Sequence, residues 1–215
     1  MYLYPKWLRL WHVLNAVLFI ILIVTGVSMQ YSNKDNQTLL VGFERAVEWH
    51  NIAAIILVFN YIIFVTGNVL TSNGKYYRIE KRNFMKNLMA QLKFYAGGMF
   101  KGEKHPFPVN EERKFNPLQK LTYVLAMYLG MPLLILSGIG LLFPEITVKN
   151  FFGVSGLIYT DILHITMGFL LSVFMIIHIY TCTLGSTPTT LFRGMITGYH
   201  SADEDESSEQ EIVKE

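Results

Sequence analysis

The sequence predicts an all-α protein, an integral membrane four-helix bundle, on three observations. Of its 215 residues 52% are hydrophobic and 16% charged, against about 25% charged in ordinary soluble domains. Four apolar stretches are long enough to cross a hydrocarbon core of about 30 Å, which takes roughly 20 residues. Histidines stand inside or at the edges of those stretches, where an ionisable side chain is costly and points to function.

The spans run near Leu10–Gln30, Ala46–Leu70, Leu118–Phe143 and Gly156–Leu184. The first has too long an apolar run for a cleaved signal peptide, and no small-residue cleavage site follows it before the second span. Together they make residues 1–200 one transmembrane domain. Residues 71–117 hold ten Lys or Arg against four Glu, and Lys6, Arg9, Lys120 and Arg193 flank the spans on the same side. The remaining loops carry only Lys34, Arg45 and Lys149. By the positive-inside rule both termini and the 71–117 loop are cytoplasmic. Within that loop Phe84, Leu88, Leu92 and Tyr95 or Met99 recur at helical spacing opposite Lys86 and Lys93, which predicts an amphipathic helix over Arg82–Phe100 lying on the inner leaflet. Residues 201–215 hold seven Asp or Glu and one Lys, an acidic tail disordered by composition. A net charge of +2 gives no sign of nucleic acid. No internal repeat, phosphate loop or nucleophile with its base stands out.

His164 and His178 lie 14 residues apart on the fourth span. Fourteen residues advance a helix by about 21 Å and return the side chain to within about 40° of the same face. One helix can therefore present a ligand at each of two depths. The predicted orientation puts His12 at the inner start of span one and His50 at the outer start of span two. Only His50 with His164 (outer) and His12 with His178 (inner) are level. Imidazole suits iron, and two bis-histidine pairs at two depths suit two haems stacked across the bilayer. The sequence has no CxxCH, and its single cysteine, Cys182, lies in an apolar run, so the haems are b-type, held by coordination and packing. His105, in a Pro-rich loop segment, and His200, in the tail, have no ligand partner and are expected to be exposed.

Here the chain resembles a known family. Pro5-Lys-Trp-Leu-Arg9-Leu-Trp-His12, with an apolar helix ending in Thr25-Gly26, is similar to the opening of the di-haem cytochrome b subunits of formate dehydrogenases, nickel-iron hydrogenases and thiosulfate reductases. Asp161-Ile-Leu-His164 with His178 resembles their last haem helix, and Phe115-Asn-Pro-Leu-Gln119-Lys the entrance to their third. The resemblance covers roughly residues 1–195. It implies a bacterial inner-membrane protein whose outer haem exchanges electrons with an iron-sulfur subunit of a larger catalytic oxidoreductase, and whose inner haem neighbours a site for menaquinone or ubiquinone. Formate dehydrogenase members carry a glycine near the quinone, where this sequence has Pro117 and Leu118.

The remaining candidates follow from chemistry. A quinone gains electrons and protons, so its carbonyl oxygens need donors near water; Asn116, Gln119 and Lys120 are placed for that, with helix capping and snorkelling as the competing roles. Arg9, one turn before His12, can pair with a haem propionate or act as a topology determinant. Gly26, Gly67, Gly138, Gly140 and Gly168 permit close approach of helices or of a macrocycle. Trp7, Trp11 and Trp49 read as interfacial anchors. Two alternatives stay open at this point: a stand-alone cytochrome b561 exchanging electrons between quinone and a small oxidant such as superoxide, and a non-redox membrane anchor.

Overall fold

The computed structural model describes residues 2–32, 40–80, 82–110, 112–183 and 189–199. It is mostly helical. Helix α1 spans Lys6–Gln30, α2 Phe43–Leu70, α3 Phe84–Lys93, α4 Pro117–Leu125, α5 Met131–Leu142, α6 Gly156–Cys182 and α7 Thr190–Thr197. Among the described residues α1, α2, the continuous Pro117–Leu142 stretch and α6 are long and apolar enough to cross a membrane. The first three begin one to four residues before their apolar runs, because polar first turns cap and charge a helix without interrupting it. Leu184, the expected end of the fourth span, lies outside the described residues, as do the 33–39 segment with Lys34, His200 and the acidic tail.

Helices α4 and α5 are joined by a wide π-helical turn over Ala126–Gly130. Pro132, at the second position of α5, explains it: proline has no N–H to give and its ring crowds the carbonyl four residues earlier, so the backbone widens by one residue. The carbonyl of Met127, inside that turn, accepts a hydrogen bond from Tyr61 Oη on α2 at 2.9 Å. Between α5 and α6 a hairpin pairs Asn150 with Ser155 and Phe151 with Val154. Its two-residue turn puts Phe152 and Gly153 at φ 48° and 77°, the left-handed pair that suits a tight hairpin.

The chain divides into two compact units. One takes its described residues from Met1–Arg9, Gly67–Ala126 and Ile177–Glu215, the other from Leu10–Thr66 and Met127–Ile176. In the first unit the basic 71–117 segment is more than a loop. A 3-10 turn over Ser72–Tyr77 is capped by Thr71, α3 passes into a π turn over Phe94–Gly98, and both the turn and α3 pack on α4. The helix expected over Arg82–Phe100 is thus a regular helix of ten residues with a wider end, where Gly97 and Gly98 leave the backbone weakly constrained. Its buried face is Leu88, Gln91, Phe94 and Gly98, and Leu92 is exposed. The buried stripe therefore turns one residue away from the purely apolar one and takes in a glutamine. The N-terminal segment closes the unit: Leu3 and Tyr4 N–H both donate to the Gly198 carbonyl.

The second unit holds Trp11 at 7% exposure. Its Nε1–H donates to the Asn60 carbonyl at 2.9 Å, and its ring stacks on Phe64 at 4.5 Å. Trp11 is therefore a clasp between α1 and α2, which corrects the interfacial role expected for it. A carbonyl acceptor and an aromatic partner draw the indole inward, away from lipid headgroups. Trp49 stays exposed. Trp7, in the first unit, lies over Gly67, where an added methyl would stand 2.6 Å from the ring. Gly67→Ala is accordingly expected to destabilise the protein by about 1–3 kcal/mol, the usual cost of overpacking, read as a lower unfolding midpoint in detergent.

Candidate functional site

His50 on α2 and His164 on α6, both in the second unit, face each other with ring centroids 6.2 Å apart and planes at 70°. Two imidazoles bound through nitrogen at about 2 Å on opposite sides of one metal put their centres about 6 Å apart. The separation fits. Each ring is also held at its Nδ1. Thr25 Oγ1 stands 2.9 Å from His50 Nδ1, and Ser137 Oγ 3.1 Å from His164 Nδ1. The single hydroxyl hydrogen of Thr25 goes to the Ile21 or Leu22 carbonyl, at 2.7 and 3.3 Å, and that of Ser137 to Leu133 or Leu134, at 2.7 and 3.0 Å. Either oxygen can then only accept, so Nδ1 carries the ring proton in both histidines. The Leu134 carbonyl, 3.2 Å from His164 Nδ1, requires the same tautomer. Nε2 keeps a lone pair with which it could bind a metal.

Glycines make the room. A methyl added at Gly26 would stand 3.5 Å from His50 Cε1, and one at Gly138 3.1 Å from His164 Cε1. Among the described residues no group of three or more His, Cys, Asp or Glu converges as for a bare metal ion. Two imidazole nitrogens with a clear flank would suit an iron already held in a macrocycle.

His12 stands half-buried on α1 in the second unit, its ring 6.3 Å from that of Trp11. His178 belongs to the first unit. Tyr123 Oη lies 3.3 Å from its Nδ1, the Tyr123 ring meets it edge-on at 5.6 Å, and Cys182 Sγ is 3.9 Å from its Nε2. His105 is exposed and accepts from Phe107 N–H at 3.2 Å. The Arg9 guanidinium donates to the Ile196 carbonyl through Nη1. It ties α1 to α7 within the first unit.

Asn116 and Gln119 form a complete capping box: Asn116 Oδ1 accepts from Gln119 N–H at 2.9 Å, and Gln119 Oε1 from Asn116 N–H at 3.2 Å. Asn116 is 4% exposed. Its Nδ2 carries two hydrogens, and Tyr95 Oη takes one of them at 3.0 Å. Burial raises the Tyr95 hydroxyl above its ordinary value, against the bonds from Asn116 and Gln91. Lys120 follows Gln119 on α4, half-buried.

Lys114, two residues ahead of this cap, escaped the sequence reading because it is one of ten Lys or Arg in the 71–117 segment. It is 6% exposed, donates to Asn73 Oδ1 at 3.0 Å, and lies over the Tyr76 ring at 4.2 Å. Burial, then the charge of Lys75, lowers its pKa from 10.5 to about 8. That lowering corresponds to roughly 3 kcal/mol between charged and neutral forms. The sign follows from proton binding: between pH 8 and 10.5 the unfolded chain holds the proton and the folded one does not, so raising pH across that window stabilises the fold. Lys114→Met is expected to lack this rise. Melting points of the two proteins measured from pH 7 to 10.5 check it.

The functional groups that sequence reasoning passed over are the hydroxyls of Thr25, Ser137 and Tyr123. The available signal is a hydroxyl residue followed by glycine inside a span, at Thr25-Gly26 and Ser137-Gly138, a pair that also occurs at Thr66-Gly67.

Comparison with known proteins meets this geometry. A family described as prokaryotic cytochrome b561 matches residues 3–198. A relative named "Putative cytochrome YdhU", from Escherichia coli (strain K12), is 37% identical over 202 residues, covering 93% of this chain and 74% of that protein. No solved structure matches. The matched residues take in the four histidines and four apolar helices, and haem b and electron transport come with the assignment: the chain belongs to the prokaryotic cytochrome b561 family and is a multi-pass membrane cytochrome.

Proposed function

We propose that this cytochrome carries two haems b, an outer one held by His50 and His164 and an inner one by His12 and His178, and moves electrons between an iron-sulfur subunit at the outer face and quinone near the cytoplasmic face. The paired rings of His50 and His164, 6.2 Å apart with both Nδ1 atoms protonated by their hydrogen bonds, carry this reading. Haem supplies reversible one-electron chemistry, and two axial imidazoles favour electron transfer over binding of dioxygen. The chain's residues do the rest. His50 and His164 offer Nε2, Gly26 and Gly138 leave the approach open, and Asn116, Gln119 and Lys120 border the quinone headgroup, where Asn116 Nδ2 has a second hydrogen to donate.

The excess of Lys and Arg in the 71–117 segment supports cytoplasmic termini in a bacterial inner membrane. In the loop between the third and fourth spans Ile146, Val148, Phe151 and Phe152 are exposed, an apolar surface suited to a docked iron-sulfur subunit and its catalytic partner. The test is stoichiometry: purified protein is expected to give two haems per chain by pyridine haemochrome assay, a low-spin b-type spectrum and little change with carbon monoxide. One haem or none overturns the pairing, and strong carbon monoxide binding overturns bis-histidine ligation.

A further inference from the structure

His50 and His164, both in the second unit, are held by one device used twice. On α1 a hydroxyl residue and a glycine, Thr25-Gly26, face His50 of the next span, 25 positions on from the hydroxyl. On α5 the dipeptide Ser137-Gly138 faces His164 of the next span, 27 positions on. In each case the hydroxyl sits one helical turn after the carbonyl that takes its hydrogen, at 2.7 Å. In each case the glycine next to it clears space at the histidine Cε1. An ordinary back-bonded hydroxyl in a membrane helix needs no third partner, since the carbonyl has already satisfied its hydrogen. Here both oxygens use a remaining lone pair on a histidine.

We propose that Thr25 and Ser137 are positioning residues for the outer haem, fixing the tautomer and ring orientation of His50 and His164 and lowering that haem's midpoint potential. The inference rests on the reading of those histidines as ligands. Its physical content is polarisation. An acceptor at Nδ1–H draws the proton outward and gives the ring partial imidazolate character, so Nε2 becomes a stronger donor. A stronger donor stabilises ferric iron more than ferrous, because the oxidised metal carries the greater charge. The effect is felt fully in a membrane interior, where no water competes for the Nδ1 hydrogen.

The experiment is a redox titration of the purified holoprotein with Thr25→Val, Ser137→Ala, both together, and the restoring variants Thr25→Ser and Ser137→Thr. Valine keeps the shape of threonine without the oxygen. Each single loss is expected to shift the ferric-to-ferrous equilibrium of the outer haem three- to tenfold toward ferrous, tenfold being 59 mV for one electron. The double variant shifts further, the other haem is unmoved, and the restoring variants return to the starting potential. Loss of the outer haem in Thr25→Val with retention in Thr25→Ser also supports the proposal. Full haem content with unchanged potentials in both single variants and the double overturns it, as does a Thr25→Ser variant that behaves like valine. Failure of the ligand reading looks different: His50→Ala would then keep both haems.

Discussion

Purified His50→Ala or His164→Ala protein is expected to carry one haem per chain against the two proposed for the parent, with the outer spectral component gone and the inner one intact. Under the proposed function each substitution removes one of that haem's two ligands, whose rings stand 6.2 Å apart. Even changes in groups that merely support a metal ligand weaken metal binding about ten- to a hundredfold, so loss of the ligand itself empties the site at ordinary haem concentrations. The helices should remain. The second unit is held by contacts that do not involve these rings, among them the Trp11–Asn60 clasp and the bond from Tyr61 to Met127. Far-ultraviolet circular dichroism should therefore match the parent protein. His12→Ala and His178→Ala should remove the other component. If His12→Ala and His50→Ala erase the same spectral band, the depth assignment is wrong.

The second large effect is expected at Asn116. The Asn116→Ala protein loses the side-chain half of the capping box and the bond to Tyr95, and under the proposed function it also loses a donor to the quinone headgroup. A lost cap costs about 1 kcal/mol of stability. A lost bond to a headgroup gaining negative charge costs about 1.5–3 kcal/mol, roughly ten- to a hundredfold in rate. Serine separates the two. It is an equally good N-cap but has no amide hydrogens, so Asn116→Ser should recover the melting point while quinone reduction stays slow. Both haem spectra should be unchanged throughout. Recovery of rate together with stability in the serine variant would mean that Asn116 is a cap alone and that the headgroup binds elsewhere.

The four spans were legible because length and hydropathy are read one residue at a time, without knowing any neighbour. The histidines were legible for a related reason: an imidazole among Leu, Ile and Val is conspicuous. What stayed hidden depends on pairing. Thr25 and Ser137 are ordinary residues in a membrane helix until His50 and His164 are seen beside them. Trp11 reads as interfacial from its place near a span end, and only the Asn60 carbonyl and the Phe64 ring reveal that it turns inward. Gln91, fully buried on the inner face of α3, was passed over because an amphipathic pattern is drawn by its apolar members. Lys114 was lost among the other Lys and Arg of the 71–117 segment, although Asn73 and Tyr76 give it a fixed place. Pro132 was not singled out in the third span, although proline is a signal of irregularity there. Its form, a widened turn and not a break, depends on the surrounding helix accommodating it.

That widened turn also bears on how the protein is made. A carbonyl released from the helical ladder inside a bilayer has no water to turn to, and leaving it bare costs a few kcal/mol. Met127 is relieved by the Tyr61 hydroxyl of α2. Spans emerge from the ribosome in order, so α2 is already in the membrane when the third span arrives. The earlier segment acts as a receiver for the later one, and the proline-bearing span inserts at lowest cost only into a membrane where its predecessor waits. A single tyrosine of the earlier span thus offsets the cost of the widened turn in the later one.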